Sequence, residues 1–219
     1  MEQYCIDTQP DPEFAEERRK RKNAVRLIAT KSTHVSRRAT SENELFKLLP
    51  SKLSDDESLH VISGGNIDTL SFLRYALLNG PADHVVISSW VVNGLDIEEL
   101  HKLVSAGSIK RLDVYVGDYF IKRRAGVYPR LCEIIRTNPA GGRVCIFNNH
   151  SKVVVVACHA RNYYAVIESS ANLQTNPRTE QTVVTRSRPL AEFYRDFYDG
   201  VRSHQRNFDN WTPHGWPSA

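Results

Sequence analysis

The sequence contains no run of eighteen apolar residues, so it offers no candidate transmembrane helix. Its opening stretch, MEQYCIDTQPDPEF, is acidic and lacks an apolar core, so it does not read as a secretory signal. Cysteine is sparse: Cys5, Cys132, Cys145 and Cys158 are widely spaced and form no CxxC pair. That spacing argues against a disulfide framework and makes a reduced, cytoplasmic location the expectation. The adjacent Cys158 and His159 have no second spaced pair to complete a tetrahedral zinc site. No metal and no other cofactor is expected. Acidic residues are missing from one stretch: between Arg18 and Ser41 there are nine Lys or Arg residues and no Asp or Glu. Such a block suits contact with a phosphate backbone, or equally a solvated helix or tail.

What is present reads as one α/β domain with additions at both ends. Residues 1–50 read as a basic, helical N-terminal arm. SENELFKLLP closes it as a short helix with Ser41 as cap, Glu44 three residues on and Pro50 past its end. From about residue 58, strands alternate with helices. LHVISGG (59–65), DHVVISSWVV (83–92) and KRLDVYVGD (110–118) read as strands. NIDTLSFLRYALLNG (66–80) and LDIEELHKLVSAG (95–107) have apolar residues at helical spacing and end in glycine. A mostly helical segment over 120–138 is interrupted near Gly126 and Pro129. The alternation predicts parallel pairing and a sheet covered on both faces.

The rhythm then changes. GRVCIFNN (142–149), SKVVVVAC (151–158), YYAVIESS (163–170) and EQTVVTR (180–186) follow with short connections and read as strands, several of them antiparallel. A last amphipathic helix is expected over 189–205, and 206–219 is a Trp- and Pro-rich tail expected to dock loosely. The fold class is therefore a mixed β-sheet flanked by helices on both faces, spanning 51–205.

The chemistry lies in the last third. His150 and Lys152 stand two apart at the mouth of the most apolar strand, so both point to one face, with Val154 and Val156 behind them. Two cationic or near-cationic groups held together call for an anion opposite, and a phosphate satisfies both. Further on, Ser169-Ser170-Ala171-Asn172 closes a strand with hydroxyl and amide groups, which are donors suited to an anion and equally common in ordinary turns.

In that order and spacing, these elements resemble the signature of the phospholipase D superfamily: H-x-K, four residues, Asp, and later G-S/G-x-N, often followed by Glu. His150-Ser151-Lys152, Ser169-Ser170-Ala171-Asn172 and Glu180 match it. Ala157 stands at the signature Asp and Ser169 at the usual Gly. The resemblance covers about residues 145–182 directly, and the α/β layout from about 58 fits that family's fold. It implies a metal-independent phosphodiesterase that forms a phosphohistidine. His150 would be the nucleophile or acid, Lys152 and Asn172 would hold the phosphate, and Ser170 would add a hydrogen bond with Ser169 beside it. Glu180 would orient the imidazole.

The chain holds one H-x-K. His60 and His84 lack the lysine two residues on. A site with two histidines therefore requires a second copy, and the expected partner is the chain itself in a homodimer. Arg18, Arg19, Lys20, Arg21 and Lys22, with the further charges of Lys122, Arg123, Arg124 and Arg130, favour a polyanion. The expected substrate is DNA or RNA, with no membrane partner. A protein that binds nucleic acid on this fold without cutting it is the alternative, and Ala157 keeps it open.

Overall fold

The structure is a computed structural model that describes residues 43–63, 67–123, 126–174, 178–206, 208 and 210–218. The chain divides into two compact units, Met1–Thr40 and Ser41–Ala219, and every described residue belongs to the second. The basic run Arg18–Lys22 lies outside the described residues.

Seven strands form one sheet: β1 (Ser58–Ser63), β2 (Ala82–Ser89), β3 (Ile109–Gly117), β4 (Gly142–Phe147), β5 (Val153–Cys158), β6 (Tyr163–Ser169) and β7 (Glu180–Arg186). Their order across the sheet is β1-β7-β6-β5-β2-β3-β4. β2, β3 and β4 are parallel, and every other pairing is antiparallel. Each strand falls where the apolar pattern placed it. The exception is one of pairing: β1 does not join the parallel set but runs antiparallel to β7 at the far edge. Its residues alternate between exposed and half-buried, and Ile62 is 72% exposed. A strand with so little to bury is suited to an edge and not to the doubly covered centre.

Among the described residues, residues 43–48 are helical and five further helices follow: α1 (Thr69–Leu77), α2 (Gly94–Ser105), α3 (Asp118–Arg123), α4 (Tyr128–Thr137) and α5 (Arg188–Asp199). The interruption expected near Gly126 separates α3 from α4, while Pro129 lies in the first turn of α4, and the last helix stops at Asp199, before Gly200. Asp68 caps α1 by accepting from the Leu70 and Ser71 amides at 3.0 and 3.1 Å. Asn93 caps α2 by accepting from Asp96 N at 2.9 Å. α4 and α5 each carry proline in the first turn, where its missing N–H costs nothing.

One face of the sheet packs α1, α2 and α4 through Leu70, Leu73, Ile97, Leu100, Leu131 and Ile135 onto Val154, Val156, Val114 and Val144. Leu45, Leu49 and Leu53 belong to this same core, so the segment assigned to the end of the arm contributes buried apolar surface. The other face packs α5 and the tail onto Val86, Tyr115, Val155 and Val166. The tail is bound more closely than its composition suggests. Trp216 donates its Nε1–H to His84 Nδ1 at 3.1 Å, and Trp211 donates to Asp113 Oδ1 at 3.2 Å. β4 starts at Gly142, whose φ of +144° only glycine adopts freely, and a Cβ there would fall 2.0 Å from the Leu112 carbonyl oxygen.

Candidate active site

The sheet order brings the ends of β2, β3, β4 and β6 to the same edge as the starts of β5 and β7. His150 lies there, exposed, in the loop between β4 and β5. The loop is fixed by the residue before it. Asn149, 5% exposed, donates its amide to Ser88 Oγ at 2.9 Å and to the Tyr115 carbonyl at 3.2 Å. Its Oδ1 accepts from Ser151 N at 2.9 Å and Ser151 Oγ at 2.7 Å. Ser151 points to the α5 face, where its hydroxyl meets Tyr198 OH at 2.9 Å and Ser88 Oγ at 2.7 Å. Asn149 and Ser151 are thus tied to the sheet and to α5, while His150 and Lys152 meet each other.

The Lys152 ammonium donates to His150 Nδ1 at 3.0 Å and to the His150 carbonyl at 2.7 Å. Lys152 is half-buried. Burial lowers its pKa below the ordinary lysine value, and the negative charge of Glu180 opposes that shift. His150 also lies against Trp90, with ring centroids 5.0 Å apart.

The second element arrives across the antiparallel β5–β6 pair, where Ser169 N donates to the Lys152 carbonyl at 3.0 Å. Glu180 Oε2 accepts from Ser170 Oγ, and that hydroxyl also accepts from Gln181 N at 3.0 Å. Ser169's hydroxyl is engaged within the turn: it meets Thr182 Oγ1 at 2.8 Å and accepts from Ala171 N at 3.1 Å. The Ala171 carbonyl accepts from Thr69 Oγ1 at the start of α1, at 2.7 Å. Asn172 lies beside Ser89, with Oδ1 3.5 Å from a hydroxyl that donates to the Val91 carbonyl at 2.7 Å and accepts from Leu173 N at 3.2 Å.

All six residues expected at the site therefore stand at one end of the sheet. One expected contact is different. Glu180 binds Ser170 and acts electrostatically on Lys152, while the His150 ring hydrogen-bonds to Lys152. Sequence reasoning missed Asn149, Ser88, Ser89 and Trp90. Only the Asn148-Asn149 pair next to the histidine hinted at them.

Ala157, at the signature Asp, is fully buried and pairs with His84. It lies five residues along β5 from Lys152, roughly 16 Å at strand spacing. Its side chain belongs to the core beneath the tail and not to the end of the sheet that carries His150. The buried carboxylate of that region is Asp113, on β3.

No protein-family model matches the chain, and no curated protein sequence matches it. Among solved structures it is similar to NucT from Helicobacter pylori, at 14% identity and a TM-score of 0.44, over 65% of this chain and 94% of that one. It is also similar to a polyphosphate kinase from Porphyromonas gingivalis, at 18% identity and a TM-score of 0.48, over 68% of this chain and 27% of that one. A third likeness is to phosphatidylserine synthase from Haemophilus influenzae Rd KW20, at 16% identity and a TM-score of 0.46, over 64% of this chain and 37% of that one. Among the described residues, no helix is long and apolar enough to cross a membrane.

Proposed function

We propose that this chain is a metal-independent phosphodiesterase of the phospholipase D type. It acts as a nuclease on DNA or RNA through a phosphohistidine at a site completed by a second copy. The observation that carries the reading is the joined pair His150–Lys152, held at the end of a rigid sheet beside Ser170, Asn172 and Glu180. The position of Ala157 supports it further, since this departure from the signature is buried in the core, far from His150 and Lys152.

The hydrogen bonds suggest how the pair works. An ammonium can only donate, so His150 Nδ1 accepts, and its lone pair is occupied while no substrate is bound. A phosphate arriving at Lys152 offers a charged acceptor in place of the ring, which draws the ammonium away and frees the imidazole. The free ring nitrogen attacks phosphorus, and the P–O bond to the leaving group breaks as the partner's His150, which enters this step as the imidazolium, supplies a proton to that oxygen and becomes neutral. The partner's His150 then takes a proton from water, the water oxygen attacks phosphorus, and the P–N bond breaks to release the phosphate monoester. Lys152 and Asn172 hold the non-bridging oxygens while charge builds there.

The test is cleavage of single- and double-stranded DNA and RNA by purified protein in EDTA. Cleavage is expected. Salt-sensitive binding with no cleavage of any of the four would replace the enzyme with a binding protein.

The half-burial of Lys152 makes a pH prediction. Its ammonium is needed for phosphate binding, and its pKa is lowered, so the alkaline limb of kcat/KM should lie below the ordinary lysine value of 10.5. Glu180 raises that pKa. Glu180→Gln removes the supporting charge, lets the pKa fall further, and should move the alkaline limb to lower pH. A limb that stays in place or moves up would remove Glu180 from this role.

A further inference from the structure

Helix α5 (Arg188–Asp199) has two unlike flanks. The tail covers one of them. Arg195 lies over the Trp216 ring at 4.4 Å, and Arg188 donates to the Pro217 carbonyl. The opposite flank carries Leu190, Phe193, Tyr194 and Phe197, at the three- and four-residue spacing that keeps side chains together on a helix. Phe193 is 63% exposed and Phe197 57%, the two most exposed of the Phe, Tyr and Trp side chains among the described residues.

This flank adjoins the end of the sheet that carries His150. Tyr194 OH donates to Glu168 on β6, and Tyr198 OH meets Ser151 Oγ at 2.9 Å. Glu168 pairs with Val153, the first residue of β5, and Ser151 stands between His150 and Lys152. The two exposed rings rest on the same tyrosines. Phe193 meets Tyr194 with centroids 5.3 Å apart, and Phe197 meets Tyr198 at 5.1 Å. The stripe is thus held by the side chains that join α5 to the His150 loop.

We infer that this flank of α5 is the surface on which a second copy of the chain docks, with the two α5 helices packed across a twofold axis. The inference deepens the reading above and rests on it, since one H-x-K per chain leaves the site incomplete without a second copy. An isologous interface must be complementary to itself. An apolar stripe meets that condition, because its counterpart across the axis is the same apolar stripe. Aromatic anchors are also the side chains that dominate interface centres. The charges choose between occupants. On α5, Arg188 and Arg195 are outnumbered by Glu192, Asp196 and Asp199, so the helix offers no positive field to a nucleic-acid backbone or an anionic membrane. The near balance of charge leaves little repulsion between two copies.

The experiment is sedimentation velocity with a parallel cleavage assay on Phe197→Glu, whose fold is checked by circular dichroism. The wild type should sediment as a dimer. Phe197→Glu should raise the dimer dissociation constant about a thousandfold, roughly thirtyfold for each of the two anchors that an isologous interface loses. Cleavage should fall with the dimer fraction. Phe193→Gln carries the same test should Phe197→Glu lose its fold. Leu78→Glu, which charges an apolar residue 60% exposed beyond α1, should leave both readouts unchanged. A monomeric wild type, or a Phe197→Glu protein that stays dimeric, overturns the inference; loss of cleavage in a dimeric variant would assign the stripe to substrate. Equal dissociation by Leu78→Glu also overturns it. If Phe197→Glu dissociates but the wild type cleaves neither nucleic acid nor bis(p-nitrophenyl) phosphate, the surface stands and the phosphodiesterase reading falls. A monomeric variant that cleaves at the wild-type rate keeps the surface and removes the shared site.

Discussion

His150→Ala is expected to abolish cleavage of every nucleic-acid substrate while leaving the protein folded. The loss should be at least about a thousandfold, because the covalent route has no other nucleophile and the remaining groups only bind. The structure explains why the fold should survive. His150 is exposed, and its loop is held by Asn149 and Ser151 and not by the imidazole. A change of stability within about 1 kcal/mol is expected, as for other exposed positions. Lys152 and Asn172 remain, so phosphate binding should persist. Cleavage by the variant at the wild-type rate would show that another group attacks phosphorus.

The same variant tests the shared site. If each active centre needs a histidine from both copies, a dimer with one wild-type and one His150→Ala chain cannot complete the reaction. Activity in a reassorted mixture should then fall with the square of the wild-type fraction. A linear fall, or an active protein that sediments as a monomer, would mean that one chain suffices.

The second large effect concerns stability and lies at the opposite end of the sheet. Asp113 and His84 are both fully buried and hydrogen-bonded at 2.8 Å. Asp113 also accepts from Arg143 N at 3.0 Å, Trp211 Nε1 at 3.2 Å and Arg111 Nε at 3.3 Å. His84 Nδ1 accepts from Trp216, so its proton is on Nε2 and faces the carboxylate. This network ties the tail to the sheet. Asp113→Ala would leave four donors facing a void and is expected to cost about 3–5 kcal/mol. At roughly 2–4 °C per kcal/mol for a domain of this size, Tm should fall by about 6–20 °C. A loss below about 1 kcal/mol in urea melts would remove the network from its structural role.

The sign of the pH dependence follows from the same contacts. Burial alone would raise the Asp113 pKa. The hydrogen bond from His84, with the charge of Arg111 and the hydrogen bond from Trp211, outweighs burial and holds it below the ordinary 3.8. A depressed carboxyl pKa gives stability that is present above the unfolded value and is lost as pH falls through the folded one. The stability difference between wild type and Asp113→Asn should therefore be constant above about pH 5 and shrink below about pH 4. A difference that grows on acidification would contradict this arrangement.

Much of this was legible in the chain itself. Runs such as DHVVISS and VVVVAC can bury both faces only as central strands, and the existence of all seven strands could be read from the apolar pattern. Pairing was not legible in the same way, because apolar pattern reports burial and not neighbours. β1 follows the strand–helix rhythm yet pairs with β7, more than a hundred residues away. The tail looked loose because Trp211 and Trp216 are flanked by prolines and polar residues. Their partners, Asp113 and His84, lie about a hundred residues or more earlier.

The site divides along the same line. The local order of the sequence determined the H-x-K pair, the Ser-Ser-Ala-Asn turn and the glutamate after it. Strand alternation and short connections are enough to bring such elements to one sheet end. Only the tertiary structure decided that Asn149 holds the histidine loop through Ser88 and Tyr115, that Glu180 binds Ser170, that Ala157 lies far from His150, and that Trp90 packs against both His150 and Tyr119. Those residues come from separate strands and loops, and the order β5-β2-β3 makes them neighbours. Residue spacing along a chain carries no information about which strand lies next to which. That is set by the packing of the whole sheet.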